Sequence, residues 1–296
     1  MKILVTGTHG QVGFELLEAL KPLGQVIAVD RTRCDLLDQN ALRALVRESK
    51  PDVIVNPAAY TAVDKAQSEP ALAFGVNHLA PKILGEEAAR LGALVIHYST
   101  DYVFDGTKSA PYSEQDTPNP QSIYGESKWQ GEQALALAHP KHLILRTSWV
   151  VGAHGNNFAK TMLRLAAERD TLTVVADQWG APTSARLLAT HTAQLISQYA
   201  ATPDRFKVGT YHLTAAGETN WCEYARFVVR EATNASRTLK ATAHSIAPIA
   251  TSDYPTPAKR PANSRLSTAH YQDTFHLVPE PWEVGVRDVL HTLWNT

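Results

Sequence analysis

The sequence has only two cysteines in 296 residues, Cys34 and Cys222, and they lie far apart, outside any CxxC or metal-ligand spacing. A disulfide framework is thereby excluded, and such usage fits a reducing compartment. Charge of either sign is also scarce in excess: 28 basic against 29 acidic residues leave a formal net charge of −1. No global field is available to hold a polyanion, and no basic patch suggests nucleic acid. No apolar run reaches the roughly 18 residues of a membrane span. The stretch Met1–Gly7 enters a glycine-rich turn after one short apolar run, without the long apolar region of a signal peptide. The expectation is a cytoplasmic chain with no membrane partner. Internal repeats and low-complexity tracts are missing too. Twelve histidines form no HExxH or close His/carboxylate cluster, and His78, His97, His191 and His212 read as isolated, internally satisfied side chains. A GxSxG elbow is likewise lacking, which argues against a hydrolase.

What is present is an alternation. Short β-rich runs at Ile3–Thr6, Val26–Asp30, Val53–Asn56, Ala93–Ser99 and His142–Thr147 are separated by helical patterns at Gln11–Leu20, Asn40–Glu48 and Ala71–Leu91 and by a helix beginning near Tyr124. This predicts a doubly wound α/β fold, a parallel sheet covered by helices on both faces. Beyond Trp149 the texture changes. A helix (Phe158–Glu168) and a short strand (Leu172–Val175) lead into the turn-rich Gln178–Thr183, and Ala247–Ser264 is rich in Pro, Ser and Thr. Irregular stretches of this kind commonly serve as binding loops. The expected division is a nucleotide-binding domain over 1–150, rejoined by 184–215, and a smaller lobe made of 151–183 and 216–296.

The first strand runs into Thr6-Gly7-Thr8-His9-Gly10-Gln11-Val12-Gly13 and then into a helix. Glycines at 7, 10 and 13 allow a tight turn, close approach to a pyrophosphate and packing of helix on strand. The spacing is GxxGxxG, and in a first βα turn it points to a dinucleotide. Asp30 ends the second strand, where a carboxylate accepts the ribose hydroxyls of NADH; Arg31 and Arg33 follow, and a guanidinium there pairs with the 2′-phosphate of NADPH, so both cofactors stay open. Asp35 and Leu36 fall near adenine, although Asp35 equally suits a turn or helix cap. The small residues of Pro57-Ala58-Ala59-Tyr60-Thr61 would admit the nicotinamide half.

Tyr124 and Lys128, at i and i+4, share one face of a helix. Reduction of a carbonyl needs a proton donor, and a phenol serves when a nearby ammonium lowers its pKa from about 10. Thr100 follows the fourth strand, Ala93–Ser99, at the end where open α/β sheets hold ligands, and is placed to hydrogen-bond a substrate carbonyl beside Tyr124.

Taken in order, the glycine turn, Asp52–Asn56, Ala62–Ala66 with Glu69-Pro70, His97–Phe104, Tyr124–Lys128, Arg146–Val150, Asn156–Met162, Asp177–Thr183 and Arg260–Leu266 resemble the dTDP-4-dehydrorhamnose reductase family of extended short-chain dehydrogenases/reductases, along the whole chain. The resemblance implies reduction at C4 of dTDP-4-dehydro-L-rhamnose, with Tyr124 as proton donor, Lys128 on the nicotinamide ribose and Thr100 on the ketone. It implies that Val63, Asp101, Tyr102 and Trp149 line the sugar pocket. Asn157 and Lys160, Gln178, and Arg260 and Ser264 would lie in the loops that hold the dTDP portion, with Arg260 on the diphosphate. Some members bridge a dimer through a divalent cation such as Mg2+ held by glutamates. Glu15 matches one ligand, but Arg186 stands where another is expected and His291 where a further acid would be; an arginine repels a cation. The reading here is therefore no metal, and a monomer or a differently built homodimer. A reductase or epimerase of another nucleotide-linked 4-keto sugar has the same reaction core, and non-catalytic NADP-binding regulatory subunits exist among relatives.

Overall fold

A computed structural model describes residues 1–295. The chain opens as β1 (Lys2–Thr6), α1 (Gln11–Leu20), β2 (Gln25–Val29), α2 (Gln39–Ser49) and β3 (Val53–Asn56). Two short helices, α3 (Val63–Ala66) and α4 (Pro70–Phe74), precede α5 (Ala80–Leu91), β4 (Leu94–Thr100), α6 (Ile123–Ala138) and β5 (His142–Thr147). The remainder comprises β6 (Val150–Val151), α7 (Phe158–Glu168), β7 (Leu172–Val175), β8 (Trp179–Gly180), β9 (Thr183–Ser184), α8 (Ala185–Ala201), β10 (Gly209–His212), β11 (Thr219–Asn220), α9 (Trp221–Asn234), β12 (Ile246–Ile249), α10 (Ala269–Phe275) and α11 (Trp282–Asn295).

Six strands form one parallel sheet in the order β10-β5-β4-β3-β1-β2. Every residue of β3 and β4 is buried, as expected of central strands covered on both faces. One face packs on α2 and α5 through Leu42, Val46, Ile83 and Leu84. The other packs on α1 and α8, and its core continues without a break into Tyr224, Phe227 and Trp282 of the C-terminal helices. The doubly wound fold predicted from the alternation is the one observed.

Two expectations are corrected. The single helix read over Ala71–Leu91 is interrupted: Gly75–Leu79 winds as a π-helix between α4 and α5, a feature that hydrophobic periodicity does not disclose. The stretch Ala247–Ser264 is not wholly irregular, because β12 pairs in parallel with β7, Ile246 opposite Leu172 through Ile249 opposite Val175. Pro248 is tolerated there because this is an edge pairing of two strands.

Candidate active site

The cleft opens at the carboxyl ends of β1, β3, β4 and β5, the position that strand polarity dictates in an open parallel sheet. Its first half is a cavity of about 640 Å³. All fourteen residues that the sequence reading assigned to the cofactor line it, from Gly7 and Gln11 through Asp30, Arg31, Asp35 and Leu36 to Ala58–Tyr60, Tyr124 and Lys128. Gly7 has φ +59°, and a Cβ on it would stand 2.8 Å from Ala58 Cα. A Cβ on Gly13 would stand 2.2 Å from the Gly7 carbonyl. The turn therefore closes only with glycine at both positions, leaving main chain exposed to a ligand at the N-terminus of α1.

At the far end, Asp30 Oδ1 accepts from the Thr32 and Arg33 amides, each at 2.9 Å, and from the Thr32 hydroxyl at 2.7 Å. These bonds lower the pKa of its carboxyl. Its other oxygen lies 3.3 Å from His9 Nε2. The two arginines diverge: Arg31 reaches the cavity and Asp35, whereas Arg33 donates to the Ala28 carbonyl and lines a separate depression. Of the two, Arg31 alone lines the cavity.

The π-helical stretch has a purpose here. It carries Asn77, whose side chain accepts from the Tyr60 amide at 2.8 Å and donates to the Tyr60 carbonyl at 3.1 Å and to Ser127 Oγ at 3.0 Å. One buried amide thus ties the loop after β3 to α6, beside Lys128. Asn77 escaped the sequence reading, which had no signal for the π turn.

Tyr124 enters on the first turn of α6, whose N-terminus is fixed by Ser122 Oγ accepting from the Gly125 amide at 3.1 Å. The ring packs edge-on against Tyr102, centroids 5.4 Å apart. Burial pushes the Tyr124 phenol up to about 12, with the Thr100 hydroxyl opposing. Thr100 donates to Asp101 Oδ1 at 3.0 Å. Burial pushes the Asp101 carboxyl up to about 6 against the opposing hydroxyls of Ser264 and Thr100, and its Oδ2 is buried with no hydrogen-bond partner. Lys128 does not turn toward Tyr124. Its amine points inward to the Tyr98 carbonyl, and burial lowers it to about 8. The expectation that Lys128 lowers the tyrosine's pKa is corrected in this conformation, where burial of the phenol dominates.

The second half of the cleft is assembled from distant segments. Arg260 Nη2 pairs with Asp64 Oδ2 at 2.6 Å, next to Val63 at the start of α3, and Asp64 Oδ1 accepts from the Ala258 amide. Arg260 Nη1 is buried without a partner. Arg260 also reaches Tyr102, acting to lower its pKa, although burial raises that phenol overall. Val63, Thr100, Asp101, Tyr102, Tyr124, Arg260 and Ser264 are thus one neighbourhood, to which Asp64 is an addition. Trp149, held at φ +49°, stacks on Trp221 at 3.7 Å. Gln178 accepts from Trp221 Nε1 and donates to Thr251 Oγ1.

Asn157 and Lys160 lie elsewhere. Asn157 caps α7 and donates to Gln11 Oε1 at 2.9 Å, and the Lys160 amine donates to the Ala153 and Gly155 carbonyls. They fasten the 152–157 stretch over the glycine turn, where Gly155 and Asn156 line the cofactor-side cavity. As for metal, the neighbour of Glu15 is Arg186, at 3.8 Å, and no group of three or more candidate ligands occurs among the described residues. No described helix is long and apolar enough to cross a membrane.

Residues 1–295 match the family model described as the RmlD substrate binding domain. The dTDP-4-dehydrorhamnose reductase of Salmonella typhimurium is 49% identical, covering 100% of this chain and 99% of that protein. The crystal structure of a dTDP-4-dehydrorhamnose reductase from Clostridium acetobutylicum superimposes with a TM-score of 0.91 at 36% identity, over 99% of this chain and all of that one. That of a Bacillus anthracis dTDP-4-dehydrorhamnose reductase in complex with NADP does so with a TM-score of 0.89 at 33% identity, over 98% and 99%. With a cleft of this construction and such likeness from end to end, the chain belongs to the RmlD family, that of the dTDP-4-dehydrorhamnose reductases.

Proposed function

We propose that this chain reduces the C4 keto group of dTDP-4-dehydro-L-rhamnose to give dTDP-L-rhamnose, the last step of dTDP-rhamnose synthesis for a cell-surface glycan such as an O-antigen. The observation that carries the reading is the meeting, at one cleft, of a glycine-cradled dinucleotide cavity with Thr100, Tyr124 and an arginine whose Nη1 is buried and unpaired. NADPH or NADH, when bound, supplies the hydride. Gly7 to Gly13 suit its pyrophosphate because their backbone is left open, and Asp30 and Arg31 face its adenosine half.

The remaining work falls to side chains of the chain. Tyr124 gives its proton to the ketone oxygen as negative charge develops there, and a phenol held protonated by burial is the right starting state for a general acid. Thr100 hydrogen-bonds the same oxygen and orients it. Lys128 serves the nicotinamide ribose and the return of a proton to Tyr124. Arg260, braced by Asp64, takes the diphosphate through its unpaired Nη1. Asp101 accepts sugar hydroxyls, and Tyr102 and Trp149 supply apolar faces for the deoxy-sugar ring. The lobe made of 151–183 and 216–296 holds the sugar nucleotide, and 1–150 with 184–215 the dinucleotide, in a cytoplasmic enzyme.

The test is to mix the protein with NADPH and dTDP-4-dehydro-L-rhamnose generated in situ, follow loss of NADPH absorbance, and compare the product with authentic dTDP-L-rhamnose. Oxidation with that product is expected. NADPH binding without consumption would replace the reading with a regulatory subunit, and consumption only with another dTDP-4-keto sugar would replace the substrate.

A further inference from the structure

Behind Tyr124, a line of buried polar side chains runs from the glycine turn to Lys128. The Thr6 hydroxyl donates to Asn56 Oδ1 at 2.5 Å, and Asn56 Nδ2 lies 3.0 Å from His97 Nδ1. His97 Nε2 lies 3.2 Å from Lys128 Nζ, which donates to the Tyr98 carbonyl at 2.6 Å. Thr6, Asn56 and His97 have no exposed surface, and Lys128 has 1%. Away from water, these groups depend on one another for hydrogen-bond partners, and a mismatched donor among them is costly.

The number of protons in this line is constrained. Burial holds the imidazole neutral, so it carries a single N–H. When Asn56 offers its amide N–H to Nδ1, the imidazole proton sits on Nε2 and faces Lys128. Only an uncharged amine has the lone pair to receive it while still donating to Tyr98. A Lys128 ammonium requires the other arrangement. The proton then sits on Nδ1 and is donated to Asn56 Oδ1, the amide is turned over, and its NH2 is given to the Thr6 oxygen. In each arrangement the contacts between Asn56, His97 and Lys128 pair a donor with an acceptor, and a mixture of the two sets donor against donor.

We propose that His97 is a positioning residue for Lys128, and that Thr6, Asn56 and His97 form a two-state hydrogen-bond line that fixes Nζ at the cleft floor and changes tautomer as Lys128 gains or loses its proton. This rests on the role given to Lys128 above. The other charged or titratable groups around the line are Glu132 with its partner Arg146, Tyr124 on α6 and Tyr98 on β4; β1 and β3 bring to it only the neutral Thr6 and Asn56. An imidazole here lets Lys128 change charge without leaving a neighbouring carboxylate unpaired.

The direct test is nitrogen-15 imidazole NMR of the wild-type protein, with and without NADPH, between about pH 6 and pH 10. His97 is expected to stay neutral, with its proton on Nδ1 at the acid end and on Nε2 once Lys128 has lost its charge. An imidazolium anywhere in that range, or one tautomer throughout, overturns the proposal. This readout needs no sugar substrate, so it fails or succeeds separately from the proposed function. A kinetic test uses two variants. His97→Gln, which keeps one donor and one acceptor, should hold turnover within about threefold. His97→Leu strips the ammonium of an acceptor in a dry site. It should lower kcat about tenfold and move the alkaline limb of the pH profile down by about one unit, with the NADPH Kd within about threefold. A Leu variant with the wild-type profile, or a Gln variant as impaired as the Leu variant, also overturns it.

Discussion

Between Gly7 and Leu36 one continuous stretch furnishes the turn, the helix N-terminus and the carboxylate at the dinucleotide end of the cleft, largely through main chain. At the sugar end, Asp64, Asp101, Gln178 and Arg260 arrive from four separate segments and are held by ion pairs and side-chain hydrogen bonds across as many as 196 residues of sequence. A ligand site made of backbone tolerates change in side chains but not in glycine. One made of braced side chains is open to retuning, at the risk of stranding a buried charge whenever a brace is lost.

The sharpest break between the halves should come where they meet. Tyr124→Phe is expected to lower turnover by about 10²–10⁴ while NADPH affinity stays within a few-fold, the range for loss of a general acid. Single-turnover kinetics with a parallel NADPH titration measures both, and unchanged turnover would remove Tyr124 from the chemistry. Next in size is Arg260→Ala. Loss of a charge-assisted contact worth about 1.5–3 kcal/mol predicts a 10–100-fold rise in KM for the sugar nucleotide. NADPH affinity should not move; if both ligands weaken equally, Arg260 belongs to the scaffold rather than to the sugar end.

Asp101 tests the cost of a braced site. Its carboxyl ionises near 6 in the fold against 3.8 ordinarily. Below the lower value both states are protonated and nothing is lost. As pH rises, the unfolded chain ionises first, so the fold loses stability until about pH 6 and carries the full penalty above it. Asp101→Asn should therefore raise Tm at neutral pH, by an amount corresponding to roughly 1–3 kcal/mol, and give no gain near pH 3.5. Equal gains at both pH values would mean that ionisation is not the cause. The smallest effect belongs to the dinucleotide end: Asp30→Ala should weaken NADH several-fold more than NADPH, because Arg31 remains for the 2′-phosphate. Fluorescence titration with each cofactor decides this, and equal losses would take Asp30 off the ribose.

The same contrast explains what was legible in the sequence. The dinucleotide end could be read because its determinants are close together and each has a local reason, with Gly7 and Gly13 in the turn and Asp30 ending a strand. At the sugar end, residue identities came through the family resemblance, but their partners did not, since nothing local connects Asp64 with Arg260. The partners of Asn157 and Lys160 were out of reach for a related reason: nothing local connects Asn157 with Gln11 or discloses that the 152–157 stretch folds back on the glycine turn. His97 looked like an isolated core histidine because its partners, Asn56 and Lys128, lie on other elements. Asn77 was hidden by the single π-helical stretch.

That stretch carries a consequence for how the sequence tolerates change in length. A π turn holds one residue more than the α-helix it interrupts. Removing a residue from Gly75–Leu79 would restore uninterrupted α-winding, with the turns on either side keeping the faces they present, and would draw Asn77 back into the regular helix. Asn77 could then no longer grip the Tyr60 peptide and Ser127 together. A deletion that makes the helix more regular, and by itself more stable, is thus expected to unfasten the loop after β3 from α6, so the extra residue is retained for what it joins rather than for the helix that contains it.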